Sequence, residues 1–450
     1  MKKRKVLCAI SFALIALVSA PLSVAADETQ PVVPGEGSFS GQFKGLYVLD
    51  GKNNGYDPND GAAYLALLKY QVPITTRLQM GLGGYVAGDF LGMTDFNSER
   101  VARGLFVTDD GGSDGVMGEA YLQYKGEGFA LEGGRMLYRS PLTTSASSTI
   151  PNFYTAFGLS STAFDSFTLG LTQVTQIAFG ARAMTDFGLI GEGTRSGGVA
   201  VNASQPGLGQ ARFHAISKAT LGASAPDTNG MTVFHLGYSG IERGGVDLWN
   251  YYVDEIANNI YLEGHKIFPL AEGKRLRLQG QLLHQRDLGD SLAGDLDYTL
   301  LGLQATLMGK GWSLFGSANH SSGSSEMLNG WGGDPAYTST VFSRNAYREK
   351  VTAFKVGGRY AVNDKLSLMA AYAHYGQSET PAPLRALRAG SSGMATPRSD
   401  ADEFNLVLTY RVQKGLAVNL LHARRTSEYD GTNGRDLTQA HSRLVVNYTF

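Results

Sequence analysis

The sequence predicts an all-β protein: a transmembrane antiparallel β-barrel of 18 strands, with one loop folded into the lumen. Three observations predict this fold. The chain opens with an export signal, it continues as short segments in which apolar and polar residues alternate, and the connections between these segments alternate between short and long. Short turns at one end and long loops at the other are typical of transmembrane barrels.

The export signal is residues 1–26, MKKRKVLCAISFALIALVSAPLSVAA. It has the basic start, the apolar stretch and the small-residue cleavage site of a secretory signal peptide. Cleavage after Ala26 fits the final V-A-A best, with Ala25 and Ala20 as alternatives. The apolar stretch is short for a membrane-spanning helix, which needs about 20 residues. We expect residues 27–37 to form a lead-in to the first strand.

The composition excludes several classes of protein. The only cysteine, Cys8, lies in the export signal, so no disulfide stabilises the exported chain. Lysine and arginine number 39, four of them at residues 2–5, against 40 acidic residues, and this balance excludes nucleic acid as a partner. Glycine numbers 58, beside 22 tyrosines and 21 phenylalanines, which predicts many strands and tight turns. After the export signal, no apolar run reaches the length of about 18 residues that a membrane helix needs.

Period-two alternation divides the segments into an apolar and a polar face. In KRLRLQGQLLHQ, residues 274–285, leucine and glycine alternate with arginine and glutamine. The same division recurs in TRLQMGL, FKVGGRY and EFNLVLTYRV. Such a strand has one apolar face and one face in water. About 18 or 19 segments of this kind occur between Ser38 and Phe450, so we expect the barrel to span residues 38–450.

A water-soluble β-sandwich is the alternative to a barrel, because it also alternates. A sandwich with this many hairpins would be unusually large, and it gives no reason for alternating loop lengths. In hydrocarbon each unpaired backbone polar group costs several kcal/mol, and a sheet avoids that cost only by closing on itself. Segments of about ten residues make 18 the most economical even number of strands, enough for an aqueous lumen.

The segment SRLVVNYTF alternates up to its final aromatic residue. One face carries the apolar residues Leu444, Val446, Tyr448 and Phe450. If this face meets lipid, Phe450 lies at the membrane boundary, where aromatic rings are favoured. A last strand of this kind resembles the signature that the barrel-assembly machinery of bacterial outer membranes recognises. We therefore expect this chain in the bacterial outer membrane, with outer-membrane lipid and that machinery as partners.

Two stretches resemble one family of channels. Residues 133–158, GGRMLYRSPLTTSASSTIPNFYTAFG, resemble the strand and inward-folding third loop of OprD-type outer-membrane porins, with the pattern G-R-x-x-x-x-P-L followed by P-N-x-[FY]. Residues 329–349, NGWGGDPAYTSTVFSRNAYRE, resemble a G-D-P-x-Y-T-S loop of the major-outer-membrane-protein branch of that family. The residues that match these patterns are Arg135, Pro141, Leu142, Pro151, Asn152, Tyr154, Asp334, Pro335, Tyr337 and Ser339.

The resemblance implies a channel of 18 strands that commonly associates as a homotrimer. It also implies a lumen narrowed by a constriction loop built from the matching residues, and a ladder of basic side chains along the wall. The chain departs from the members that select basic amino acids, because residues 145–150 lack the expected acidic and arginine residues. Selectivity for a basic amino acid is therefore not carried over.

Basic residues dominate the polar faces, where Glu119 and Glu263 oppose them. A charge facing lipid costs about 2–4 kcal/mol at the midplane, so we expect these side chains to point into the lumen. They would then attract anions or carboxylate-bearing solutes; the alternative is that a wet lumen collects charges merely for solvation. The expected pore-lining residues are Lys69, Arg77, Lys125, Arg182, Arg275, Arg277, Lys355, Arg359, Arg411 and Arg443.

The expected function is passive diffusion of small hydrophilic solutes, with a preference for anionic or carboxylate-bearing ones. The alternative is an adhesin or a structural barrel that acts through its long external loops. Catalysis is not expected. His320 and Ser322 resemble part of the H-x-S-N-G of outer-membrane phospholipase, but Gly323 replaces the asparagine. No cofactor is expected, and no metal either, because the spacing of TDDGGSDG is not that of a calcium-binding EF-hand loop.

Overall fold

The computed structural model is one antiparallel sheet that closes around a lumen. It describes residues 34–52, 59–98, 100–102, 105–108, 110–144, 149–180, 211–328, 331–345, 348–378, 400–428 and 437–450. The predicted export signal and most of the lead-in lie outside the described residues, so both stay predictions. Within the described ranges, no helix has the length and apolarity needed to cross a membrane.

Within the described residues, the fold consists of nineteen strands and one short α-helix, α1 (Ile216–Leu221). The strands are β1 (Ser38–Lys52), β2 (Asn59–Pro73), β3 (Leu78–Asp89), β4 (Asp114–Lys125), β5 (Phe129–Met136), β6 (Phe153–Ser161), β7 (Phe167–Ala178), β8 (Phe213–Ala215), β9 (Met231–Tyr238), β10 (Gly244–Val253), β11 (Ala257–Pro269), β12 (Arg275–Asp287), β13 (Asp297–Gly309), β14 (Trp312–Gly323), β15 (Thr352–Ala361), β16 (Leu366–Tyr375), β17 (Ala401–Gln413), β18 (Leu416–Ser427) and β19 (Leu437–Thr449).

Eighteen of these strands close the barrel. Each pairs with its neighbours in sequence, except that β7 pairs directly with β9. The three-residue β8 pairs with β7 alone, beyond the end of the β7–β9 ladder. The first and last strands close the sheet through a continuous register from Gln42↔Thr449 to Lys52↔Gln439. The predicted 18-stranded barrel is therefore confirmed.

The seam between β1 and β19 extends to the last residue. The backbone N–H of Phe450 donates to Gly41 O at 3.1 Å, and the Gly41 N–H donates to Phe450 O at 3.0 Å. A Cβ on Gly41 would overlap the ring of Phe450, so a residue without a side chain is needed here. The four apolar residues of the last segment are all exposed on the outward face, as predicted: Leu444, Val446, Tyr448 and Phe450.

The loops differ between the two ends of the barrel. At one end, β13–β14 and β17–β18 are joined by tight turns that contain Gly311 and Gly415, both with positive φ. In outer-membrane barrels this end faces the periplasm, and the long loops lie outside. The alternating stretch NFYTAFGLS, residues 152–160, forms most of β6.

The outward face is apolar, and its aromatic residues gather toward the turn end. Leucine, valine and phenylalanine side chains are exposed along nearly every strand, as contact with lipid requires. Aromatic rings near the turns form a girdle of the kind favoured at a membrane interface. Its exposed members are Phe39, Phe129, Phe167, Tyr238, Phe268, Tyr360, Tyr410, Tyr448 and Phe450.

Two neighbouring residues in the middle of β13 test which face meets lipid. Leu303 is 70% exposed on the outward face, whereas the amide of Gln304 donates to Gln279 on the inward face at 3.1 Å. We expect Leu303→Arg to lower the free energy of unfolding by about 2–4 kcal/mol, because the charge then faces hydrocarbon. Gln304→Arg should have a much smaller effect. Equilibrium unfolding from bilayers measures both variants, and equal losses would contradict this orientation.

Candidate functional site

The first loop that enters the lumen, inner loop 1, spans residues 137–152 and joins β5 to β6. Tyr138, Leu142 and Ile150 are all buried, although the loop belongs to the long-loop end. The backbone N–H of Leu142 reaches the hydroxyl of Tyr251 on β10 at 3.3 Å. Inner loop 1 therefore crosses the lumen from its own strands toward β10, as its resemblance predicted.

A second segment, inner loop 2, spans residues 324–351 between β14 and β15 and follows the inside of the wall. The Thr338 N–H donates to Asn319 Oδ1 on β14 at 2.9 Å. Lys355 Nζ on β15 donates to Ser339 O at 2.9 Å. The loop is therefore fastened on the inside of the barrel and leaves less of the cross-section open.

The two inner loops touch each other. Gly333 N donates to Leu142 O at 2.9 Å. The hydroxyl of Tyr154 on β6 contacts both Thr143 O, at 2.7 Å, and Trp331 O. A Cβ on Gly333 would overlap the carbonyl of Pro141, so this close approach requires glycine. The two stretches that carried the family resemblance thus meet inside the lumen.

Glu403 on β17 fixes inner loop 2. Its side chain is fully buried, and its carboxylate accepts from Phe342 N at 3.0 Å, Ser343 N at 2.9 Å and Thr340 Oγ1 at 2.7 Å. A fourth bond comes from Asn405 Nδ2 at 2.9 Å. These four donors compensate the cost of burying a carboxylate. Glu403 therefore acts on the channel by holding the loop.

Asp334 also stabilises inner loop 2, through contacts within the loop itself. It accepts from Ser339 Oγ at 2.6 Å and from Ala336 N at 3.1 Å, and Arg344 Nη1 lies 3.3 Å away. The Asp334 side chain is fully buried. The predicted constriction residues Asp334 and Ser339 therefore bond to each other and shape the loop.

Tyr337 in inner loop 2 bonds to an acidic residue of the barrel wall, Glu263. Its hydroxyl donates to Glu263 Oε1 on β11 at 3.2 Å, and Gln279 Nε2 on β12 donates to the same atom at 3.2 Å. Burial, together with the Glu263 carboxylate, raises the pKa of Tyr337 well above its ordinary value. Tyr337 is therefore a neutral donor that satisfies Glu263.

Apart from Lys355, which is bound to inner loop 2, five of the predicted basic residues occupy inward positions of barrel strands, although burial, pairing and loop contacts differ among them. Lys69 Nζ on β2 lies 2.6 Å from Glu119 Oε1 on β4, so this cation is paired. The others are Arg277 on β12, Arg359 on β15, Arg411 on β17 and Arg443 on β19.

The remaining predicted basic residues lie elsewhere. Arg77 is exposed in the turn between β2 and β3, where the strand begins one residue later than its alternation suggested. Lys125 and Arg275 are exposed at the turn ends of β4 and β12. Lys355 points inward but is bound to inner loop 2. Arg182 lies outside the described residues.

The residues near inner loop 1 that match the family pattern also lie in different elements. Pro141, Pro151 and Asn152 lie in the loop, where Asn152 Oδ1 accepts from Gly180 N at 2.9 Å. Tyr154 belongs to β6. Arg135 belongs to β5, where its guanidinium lies 4.4 Å from the centre of the Phe213 ring, so neither residue is part of the constriction loop itself.

Several lumen residues were missed by the sequence analysis. Lys44 on β1 and Arg443 on β19 both point into the lumen, and their positive charges act on each other. Asp50 Oδ1 and His441 Nδ1, both buried, lie 2.5 Å apart. The inward face of β1 is hard to recognise in the sequence because the apolar Leu46 also points inward. It packs there against residues of the β3–β4 loop. Strict alternation was the only signal that could have found Lys44.

The two other candidate sites, a catalytic pair of His320 and Ser322 and a metal site in the acidic loop, have structural explanations. His320 Nδ1 contacts Thr352 Oγ1, on the outward face, at 2.9 Å, so its nearest partner is not Ser322. In the acidic loop Asp114 pairs with Arg212 at 2.5 Å, and Asp110 Oδ1 accepts from Gly112 N at 3.0 Å; this bond lowers the pKa of Asp110. Asp109 lies outside the described residues, and among the described ones no acidic or histidine group is arranged to hold a metal ion.

The family model for outer membrane porins of the OprD family matches residues 117–450. The chain belongs to this family, and it is an outer-membrane porin located in the bacterial outer membrane. A search of curated proteins finds no match to it.

Solved structures of similar fold include proteins of Pseudomonas aeruginosa and Acinetobacter baumannii. OccK9 (OpdG) of Pseudomonas aeruginosa has a TM-score of 0.72 at 17% identity, over 92% of this chain and 98% of that one. OpdK of Pseudomonas aeruginosa with vanillate has a TM-score of 0.68 at 18% identity, over 92% and 98%. OccAB2 of Acinetobacter baumannii has a TM-score of 0.70 at 15% identity, over 94% and 99%. At these identities the likeness concerns the fold.

Removing the Glu403 carboxylate tests whether inner loop 2 narrows the lumen. Glu403→Ala removes the acceptor of the buried Phe342 N–H, at about 1–3 kcal/mol, and leaves Ser343 N with Thr340 Oγ1 alone, at 3.2 Å, so the loop should detach from the wall and single-channel conductance should rise. The matched control is Asp402→Ala, one residue earlier and on the exposed outward face. Planar-bilayer recordings compare the two variants. An unchanged conductance for Glu403→Ala would show that the loop does not limit flow.

Proposed function

We propose that this porin is a passive diffusion channel for small hydrophilic solutes that prefers anionic, carboxylate-bearing ones. The observation that carries the proposal is a basic arc on four strands of one side of the barrel. It consists of Arg359 on β15, Arg411 on β17, Arg443 on β19 and Lys44 on β1. Closure of the barrel makes β19 and β1 neighbours, so residues from the two ends of the chain form one basic surface.

Mutual influence within the arc supports this grouping. The charge of Arg411 acts on Arg359, and that of Arg443 acts on Lys44. Like charges held close together in a narrow, low-dielectric channel raise the local concentration of anions. A carboxylate passing along the arc would meet one cation after another.

The acidic residues of the lumen oppose this field weakly. Glu119 is paired with Lys69, Glu403 is surrounded by donors from inner loop 2, and Glu263 accepts from Tyr337 and Gln279. Each of these carboxylates is already compensated locally, so they reduce the attraction of the arc for anions less than carboxylates without donors would. This arrangement favours anions over cations.

Two observations, the ligand of a relative and the contact between the inner loops, favour small solutes. OpdK was solved with vanillate, an aromatic carboxylate small enough for a restricted lumen. Inner loops 1 and 2 meet across the barrel of this protein, which favours solutes of that size over oligomers. We infer that small organic carboxylates are the first compounds to test in liposome-swelling assays with solutes of graded size.

Two further predictions concern partners. We propose that the barrel-assembly machinery binds the last strand through its exposed apolar face, where Tyr448 and Phe450 lie. The trimeric state is supported only by the family resemblance, and it stays a prediction.

The charge preference is tested by neutralising the arc. We expect the wild-type channel to give an anion-selective reversal potential across a salt gradient. Lys44→Gln/Arg443→Gln should reduce the ratio of anion to cation permeability by about twofold to threefold at low salt, where charges are least screened. Arg77→Gln removes one charge from the exposed turn and should leave the ratio nearly unchanged. Cation selectivity in the wild type would disprove the preference.

A further inference from the structure

Four of the histidines lie on the outward face of the barrel. They are His284 on β12, His320 on β14, His374 on β16 and His422 on β18. Their cross-strand neighbours on that face are exposed apolar residues, such as Leu301 beside His320, Phe354 beside His374 and Leu406 beside His422. A polar ring among lipid-facing residues carries a desolvation cost, so these positions call for an explanation.

The four imidazoles share one arrangement. Each Nδ1 contacts an oxygen on the next strand: Thr299 Oγ1 at 2.9 Å for His284, Thr352 Oγ1 at 2.9 Å for His320, Asp402 Oδ1 at 3.0 Å for His374 and Ser442 Oγ at 2.9 Å for His422. The neighbouring strand therefore orients each ring through Nδ1. Nε2, at the far end of the ring, remains for a partner outside the barrel.

The histidines lie toward the long-loop end of the membrane. His284, His320 and His374 come about eight or nine residues after the first residue of their strands. With a rise of about 3.3 Å per residue and a tilt of about 45°, this is roughly 20 Å above the turn end, within an apolar band about 25 Å tall. Arg424 occupies this level on β18, and His422 lies two residues below it. The row follows the outer boundary of the hydrocarbon.

The row is confined to one side of the barrel. The other described histidines of the strands, such as His235, His265 and His441, occupy inward positions. On the remaining strands the outer part of the lipid face carries rings such as Tyr47 and Tyr252 instead. An ordinary aromatic girdle would continue around the barrel. A row on one side is what a bound molecule of limited size would need.

Cationic side chains complete this surface. Arg286 and Arg424 are both exposed, and each lies two residues beyond a histidine on the same outward face. A hydroxyl that donates to Nδ1 leaves the imidazole proton on Nε2, so the ring offers an N–H to an acceptor outside. The row therefore offers hydrogen-bond donors and positive charge, which suit a phosphate.

We propose that the outward row His284, His320, His374 and His422, with Arg286 and Arg424, binds the phosphates of the phosphorylated glycolipid in the outer leaflet. The occupant is a lipid and not a free anion, because Leu301, Phe354 and Leu406 between the histidines present apolar surface for acyl chains. The phosphates meet the imidazole Nε2 atoms and the guanidinium groups, and the chains cover the residues below. This surface is separate from the lumen, so it adds a lipid partner to the proposed channel.

The test is a titration of the purified full chain in lipid-free detergent micelles with bisphosphorylated lipid A, followed by native mass spectrometry. The variant is His284→Gln/His320→Gln/His374→Gln/His422→Gln, and we expect it to bind lipid A about tenfold more weakly than the wild type, because it loses charge-assisted bonds. Lys266→Gln is the matched control: it removes an exposed cation from the outward face of β11 near the turn end, and it should bind like the wild type.

Further measurements distinguish lipid A from free phosphate and from a second copy of the chain as the bound partner. Fully dephosphorylated lipid A should bind the wild type as weakly as the phosphorylated lipid binds the variant, and inorganic phosphate at the same concentration should not displace lipid A. Equal lipid A binding by variant and wild type would overturn the proposal. So would displacement by inorganic phosphate, which indicates a free-anion site, or a changed oligomeric state in lipid-free detergent with unchanged lipid binding, which indicates a surface for a second copy.

The conductance of the quadruple variant should equal that of the wild type, which separates this inference from the proposed selectivity. If the quadruple variant does not give the folded band of a heat-modifiable barrel on electrophoresis, His374→Gln/His422→Gln takes its place. We expect this double variant to bind lipid A about threefold more weakly. Unchanged binding by the folded double variant would likewise overturn the proposal.

Discussion

The structure depends on one constraint, which is that no backbone polar group may stay unpaired in hydrocarbon. Each such group costs several kcal/mol, and an open sheet would leave two rows of them. The continuous ladder between β1 and β19 removes both edges, down to the reciprocal bonds between Gly41 and Phe450. The same closure places Arg443 and Lys44 on adjoining strands, both pointing into the lumen. The basic arc in the lumen is therefore a consequence of closing the sheet.

The inner loops depend on a second constraint, the cost of burying charge. Inner loop 2 lies inside the barrel because the wall supplies partners for its polar groups, with Glu403 accepting from Phe342 N and Ser343 N, and Lys355 donating to Ser339 O. These contacts also affect the charge selectivity of the channel. A carboxylate that holds a loop no longer acts on a passing solute, so loop attachment and charge selectivity are set by the same side chains.

Much of the fold could be predicted from the sequence, and less of the site. Period-two alternation placed Arg277, Arg359 and Arg411 on inward faces, because strand geometry allows only two directions for a side chain. It failed at Leu46, which faces inward against the β3–β4 loop. It also could not distinguish Lys355, which binds a loop, from a cation that meets solute. Which inward charges remain available depends on contacts between residues far apart in the chain.

The sequence by itself determined the division of strands into apolar and polar faces, the number of strands and the two stretches typical of the family, because all of these are local patterns; the export signal stays a prediction. The tertiary structure alone decided that the two stretches touch, through Gly333 and Leu142. It alone decided that Glu263 is compensated by Tyr337, and that four histidines on separate strands form one row on the lipid face. The physical reason is register: the strand tilt and stagger of a closed barrel set which residues share a height, and no local pattern records that.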